Sequence, residues 1–351
     1  MAFNAPRLRR SVLRALAGRP VELEDACERT WTVCPAGRGK VQPALFPDGA
    51  IEKITQLSPF RTWEVEEPLI RGGEVQLKPT TGHLLRNVHV VAGYLYCGAY
   101  QWQGGYGDSP WWLPPLPVEP PLDQATMVST NSGTLFFGCL LLDDFPLELL
   151  GADLATNVSL LSKPSGHEAG YRALLGLPPK RVVQRTRIRE MTFFVDPAYN
   201  ASKIDRYRQL RQALRRHAPE SACAGRIYIR RGMSGQRRVM ANEADLEAVL
   251  VQRGFTVVDP MQLSAAEVTR LSLDARVVVS IEGSQISHAI YAMADDAALV
   301  VLQPPDRFCT QYKEFTDAMG MRFGFVVCDP GDEGFSVNIP ELLHLLDRIE
   351  P

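Results

Sequence analysis

Two short turns carry the residue types best suited to chemistry in this chain. The first runs Arg230-Arg231-Gly232-Met233-Ser234-Gly235-Gln236-Arg237-Arg238 and follows the apolar run Ile227-Tyr228-Ile229. The second, Glu282-Gly283-Ser284-Gln285, follows Val277-Val278-Val279-Ser280-Ile281. Guanidinium forks match phosphate oxygens two at a time. Glycine lets backbone approach a ligand closely, and Ser284 can cap a helix whose first amides face an anion. In an open parallel sheet, ligands bind at the carboxyl ends of the strands, where both turns fall. The pair therefore points to a phosphate-bearing ligand, a nucleotide by preference, with Arg231 and Arg238 as first choices. The bland alternatives are a solvated basic hairpin tip and an ordinary strand-to-helix turn.

Glu282 is out of place there. A carboxylate repels phosphate unless it is protonated or arginine-paired, and it could instead bind ribose or sugar hydroxyls. Asp143 and Asp144, after the apolar run 134–142, read as a helix cap or as a catalytic base. Ser264 and Glu267 have the spacing of a capping box, and Asn242 with Glu243 that of a helix start. Trp102, Tyr106, Trp111 and Trp112 could stack on sugar rings, or simply pack their proline-rich loop onto the core.

The elements that must position these groups are clearest after residue 220. Strands are expected over Arg226–Arg231, Thr256–Asp259, Arg276–Ile281 and Ala298–Gln303, alternating with helices from Asn242, from Ser264, and from Ser284 to about Ala294. That alternation implies a parallel sheet with right-handed crossovers. Before residue 195 the chain is β-rich and irregular. Asn87–Cys97 alternates like a strand, Arg181–Phe194 like another at an edge, and six prolines fall between Pro110 and Pro121. Pro197 and an arginine-rich helix over Ser202–His217 mark a junction. Pro340 opens a last helix, Glu341–Ile349. The expected domains are 1–200, 201–338, and the terminal helix within 339–351.

At 351 residues the chain suits two domains, and 45% hydrophobic content supports real cores. A formal charge of −2 gives no global basic field, so nucleic acid is not an expected partner. Seven cysteines without a CxxC fit reduced thiols and a cytoplasmic location. Six scattered histidines without HExxH give no metal motif. No run is long enough to span a membrane. Arg7–Ala17 forms an amphipathic helix with Leu8, Val12, Leu13 and Leu16 on one face, among Arg7, Arg9, Arg10 and Arg14. It reads first as an ordinary packed helix, and second as peripheral contact with an anionic inner membrane surface.

The ordered motifs of the second half resemble glycosyltransferase family 61, which includes capsular polysaccharide enzymes and xylosyl- and N-acetylglucosaminyltransferases. The resemblance rests on Ile229-Arg230-Arg231, Arg238, Asn242-Glu243, Gly254-Phe255, Asp259-Pro260, Glu267-Val268, the strand running into Glu282-Gly283-Ser284, then His288 and Tyr291. Gly138-Cys139, Asp143 and Phe145-Pro146 echo a motif of the family's first domain. Glu282 and Cys139 stand where the family has histidine, and His288 where it has asparagine. The resemblance implies an α/β fold of GT-B type: two Rossmann-like domains facing across a cleft, the terminal helix packing back toward the first. It implies an inverting transferase moving a sugar from a nucleoside-diphosphate donor, UDP-linked first, to a glycan or other hydroxyl acceptor in capsule or surface polysaccharide assembly. Arg230, Arg231, Arg238, Asn242, Gly283, Ser284, Gln285 and His288 would hold the donor. Asp143 would be the base, with Glu282 second, and no metal or cofactor is called for. A family member reduced to glycan or partner recognition is the alternative. A dinucleotide dehydrogenase is disfavoured, because no GxGxxG follows a strand.

Overall fold

The computed structural model describes residues 2–105, 110–232, 238–332 and 334–349. Tyr106 of the tryptophan loop and Met233–Arg237 of the arginine turn lie outside the described residues. The chain divides into two compact units. One comprises 1–37, 78–166 and 178–206; the other takes 38–77, 167–177 and 207–351.

The first unit opens with helix α1 (Ala5–Ala17), capped by the Asn4 side chain and closed by Gly18 in the left-handed conformation. Its main sheet contains β1 (Cys27–Cys34), β2 (Thr80–Val91), β3 (Tyr94–Cys97), β4 (Tyr100–Gln103), β5 (Leu122–Met127), β6 (Thr156–Val158) and β7 (Arg185–Val195). The order is β6-β5-β7-β2-β3-β4, with β1 also on β2. Only β5–β6 and β5–β7 are parallel. The other pairings are antiparallel, so this is a mixed sheet and not the second parallel Rossmann-like sheet expected. Short turns impose that: the expected strand Asn87–Cys97 is a hairpin, broken at Ala92-Gly93, both at positive φ as a two-residue turn requires. β7 was expected at an edge but lies between β5 and β2, where Ile188 and Met191 join Leu85, Val88, Ala125 and Met127 in the core.

Helix α2 (Ala201–His217) carries the chain from one unit to the other. The second unit is built on β8 (Arg226–Ile229), β9 (Thr256–Val258), β10 (Val277–Ile281), β11 (Ala298–Gln303) and β12 (Arg322–Val327). All four pairings are parallel and the order is β9-β8-β10-β11-β12. β10 and β11 are buried along their whole length, which is why they read as continuous apolar runs. β12 was not anticipated. Helices α3 (Glu243–Gln252), α4 (Ala265–Ser272), α5 (Gln311–Met319) and α6 (Ile339–Ile349) complete the unit. The Ser264–Glu267 capping box forms as expected. α6 turns its apolar face to this unit's core through Leu342, Leu345, Leu346 and Ile349. The segment 38–77 is tied to the same sheet by bridges Leu45–Gly324 and Leu57–Phe308.

Candidate functional site

The strand order of the second unit reverses direction between β8 and β10: from β8 the chain steps outward to β9, then returns to β10 and on to β11 and β12. Loops leaving β8 and β10 at their carboxyl ends therefore diverge and leave a crevice, the usual ligand position in open α/β sheets. The turn after β8 supplies Arg231 and Arg238, and the turn after β10 supplies Glu282 to Gln285.

Arg231 and Arg238 converge on one backbone oxygen. Their Nη1 atoms donate to Glu282 O at 3.2 and 3.0 Å. Arg231 Nη1 also donates to Gln285 Oε1 at 2.9 Å, and the Gln285 amide is fixed in turn by donating to Ser280 Oγ at 3.0 Å. Arg238 Nη2 lies 2.9 Å from Glu282 Oε2, an ion pair whose angle makes no hydrogen bond. Gly283, at φ 149°, is the point of closest approach: a Cβ there would sit 1.6 Å from Arg231 Nη1. Tyr312 braces the turn by donating its hydroxyl to Gly283 O at 3.1 Å.

A third arginine, Arg307, enters from the loop after β11. It is close enough to disfavour the charge on both other arginines and to favour that on Glu282. That loop is pinned by Glu66, fully buried, which accepts from Thr310 N at 3.0 Å and from Arg61. Arg238 and Arg307 line a cavity of about 440 Å³ together with Thr55, Gln56, Pro305 and Phe335, within the range of small-molecule sites. Arg231 and Glu282 stand one contact behind it.

Electrostatics favour an incoming anion. Three guanidinium groups meet two carboxylates, Glu282 and, on the cavity wall, Asp306, leaving a local excess of one positive charge. Burial, then Arg238, lowers Arg231 to about 10, so it stays cationic at neutral pH. Burial also lowers Arg238 and raises Glu282, the latter opposed by Arg238, Arg231 and Arg307. Among the described residues the buried Nε atoms of Arg238 and Arg307 have no acceptor. A diphosphate would supply both the missing acceptors and the missing charge.

Glu282 thus occupies the arginine-paired case that sequence alone left open. Its buried side chain, 12% exposed, has the geometry of a group that orients arginines. Arg230 is turned away from the cluster and is held by Glu247 and Asp259. Asn242 makes no side-chain cap; it clamps Val337, donating to its carbonyl at 2.9 Å and accepting from its amide at 3.0 Å. Ser284 opens only a 3₁₀ turn, Ser284–Ile286, ahead of the short helix Ser287–Ile290, in place of the long helix expected to Ala294. So little helix dipole aims at the crevice, and its positive charge comes from the arginines. His288 is buried elsewhere in the unit, its Nδ1 2.8 Å from the Tyr171 hydroxyl and its ring 4.7 Å from that of His167. Burial, then His167, lowers it to about 3, so it is neutral.

In the first unit, Asp143 pairs at 2.9 Å with Lys203 Nζ, itself buried, and keeps a quarter of its side chain exposed. Asp144 does not cap its own helix: it accepts from Thr130 N at 2.8 Å and Thr130 Oγ1 at 2.7 Å, bracing the preceding turn. Both lie on a π turn, Leu140–Asp144, a distortion frequent at functional sites. Cys139 is buried beside it. This unit has its own cavity of about 390 Å³, whose Arg86 is already paired with Glu28 and Glu190.

Arg307, Tyr312 and Gln56 escaped the sequence reading. The signal for Arg307 was its place in Pro304-Pro305-Asp306-Arg307, directly after a strand in the same parallel series. Among the described residues no three His, Cys, Asp or Glu side chains gather to hold a metal ion. None of their helices is long and apolar enough to cross a membrane.

No curated protein matches the chain. The family model described as Glycosyltransferase 61 matches residues 113–300, more than half of the sequence and a span that contains β8, β9 and β10 with Arg231, Arg238 and the Glu282 turn. The chain belongs to the glycosyltransferase 61 family.

Proposed function

We propose that the second unit binds a nucleoside-diphosphate sugar, UDP-linked first, and that the enzyme transfers the sugar with inversion to a hydroxyl of a glycan in surface or capsular polysaccharide assembly. The observation that carries this reading is the convergence of Arg231, Arg238 and Arg307 at the crevice between β8 and β10. In the reaction an acceptor oxygen attacks the anomeric carbon, the bond from that carbon to the β-phosphate oxygen breaks, and the diphosphate leaves with the electron pair. The arginines stabilise the departing charge. The acceptor proton passes to a carboxylate, for which Asp143 on the first unit is the candidate. Glu282 holds Arg238 in place. The division of labour is of GT-B type, donor on the second unit and acceptor on the first, in a cytoplasmic enzyme.

A second reading, a recognition module without turnover, draws on His288. Where the family has asparagine, this residue is sealed away from the arginine cluster. Incubation with a panel of UDP-, GDP- and CMP-sugars, with and without magnesium or manganese, separates the two. Release of nucleotide from one donor, with inverted configuration in the product, supports the transferase. Nucleotide binding without release from any donor supports the module.

A further inference from the structure

The first helix is mounted the unusual way round. An amphipathic helix of a globular protein turns its apolar stripe to the core, yet α1 buries none of its residues. Leu8, Val12 and Leu16, spaced four apart on one face, are 45%, 52% and 79% exposed. The opposite side is the one held: Arg10 is half-buried, and Arg7 lies 4.1 Å over the Trp111 ring. Beside the helix start, Phe3 pairs with Trp112 in a two-stranded ribbon, both rings largely exposed and in edge contact at 5.3 Å. The leucine stripe and the aromatic ribbon are two exposed apolar features at the same helix. Arg9 and Arg14 are exposed, and α1 contains no acidic residue.

We infer that this surface docks the enzyme on an anionic phospholipid bilayer, with Leu8, Val12 and Leu16 entering the headgroup boundary and Arg9, beside Val12 and Leu16 on the helix, meeting lipid phosphates. Charge complementarity selects this occupant. A four-arginine helix in a chain of net charge −2 is a local excess of the sign that acidic lipids attract. Tryptophan at the rim suits the membrane–water interface, being apolar with one polar handle. A second copy of the chain is disfavoured, because a two-fold contact would set these arginines against their own copies. Docking would hold the enzyme at a membrane surface. It does not depend on the donor assignment.

The test is sedimentation of the full chain with phosphatidylglycerol-rich vesicles and with pure phosphatidylcholine vesicles, followed in parallel by tryptophan fluorescence. Binding to the acidic vesicles is expected, weakened by salt and accompanied by a blue shift. V12E and L16E should each reduce partitioning more than tenfold, while R9Q should cost about fivefold. These side chains are exposed, so thermal unfolding and nucleotide binding should not change. No binding to acidic vesicles overturns the inference. So does binding that V12E, L16E and R9Q all leave intact, or a wild-type dimer that V12E dissociates.

Discussion

His288 gives a pH dependence that can be worked through in numbers. In the folded chain burial and the neighbouring His167 lower it to about 3, against 6.5 when the chain is unfolded. Between those values the unfolded state binds a proton that the folded state refuses. Stability from this group is therefore complete above pH 6.5 and drains away as pH falls toward 3. Each unit of pH in that window costs about 1.4 kcal/mol, roughly 2 kcal/mol by pH 5 and at most about 5 kcal/mol in all. His288→Asn keeps a polar side chain there and removes the titration. It also gives up the contact with the Tyr171 hydroxyl, so the variant should be less stable at pH 7 by about 1–3 kcal/mol. The decisive quantity is the slope. Urea unfolding at several pH values from 7 to 5 should show wild type losing about 2 kcal/mol more than the variant over that range, most of it below pH 6.5. Carboxylates titrate in both proteins and cancel in the difference. Parallel stability–pH lines would refute the argument, because they would mean that His288 accepts its proton while folded.

Three further substitutions probe the site. Arg231→Ala should weaken binding of a nucleoside diphosphate by about 2–4 kcal/mol in calorimetry; a change below ~0.5 kcal/mol would remove Arg231 from the site. Gly283→Ala places a methyl group where Arg231 Nη1 now lies, 1.6 Å away. It should cost about 2 kcal/mol or more in chemical denaturation and abolish nucleotide binding, whereas a stable, binding variant would show that the turn is not the close contact described. Arg230→Gln, by contrast, should leave nucleotide affinity unchanged within about threefold, since Arg230 is committed to Glu247 and Asp259; a large loss would return it to the donor site.

The second unit's sheet was legible because its strands are covered on both faces. Val277–Ile281 and Ala298–Gln303 are unbroken apolar runs, and strands of that kind need no tertiary information to be recognised. The first unit hid its sheet because Ala92-Gly93 lacks the usual asparagine or aspartate turn signal. Its neighbour β7, with exposed arginines alternating along it, reads as an edge. The assignment of 38–77 to the second unit rests on long-range pairings such as Leu57–Phe308, which no local pattern encodes. At the site, residue types gave Arg231, Arg238 and the Gly283 turn. They did not separate Arg231 from its neighbour Arg230, whose side chain leaves on the other side of the strand toward Glu247. Arg307 was missed because a single arginine in a proline loop has no periodicity; only the shared sheet edge identifies it. The polarity of α1 was likewise open, since spacing defines an apolar stripe but not the side that meets the protein.

The central claim is that three arginines at this sheet edge hold a diphosphate. The most direct measurement is calorimetric titration of the chain and of Arg307→Ala with UDP, GDP, CMP and the matching nucleosides. The account predicts saturable binding of one nucleoside diphosphate, at least tenfold tighter than its nucleoside, and a loss of about 2 kcal/mol or more in the variant. Equal affinity for nucleoside and diphosphate, or an Arg307→Ala protein that binds as wild type does, would contradict it.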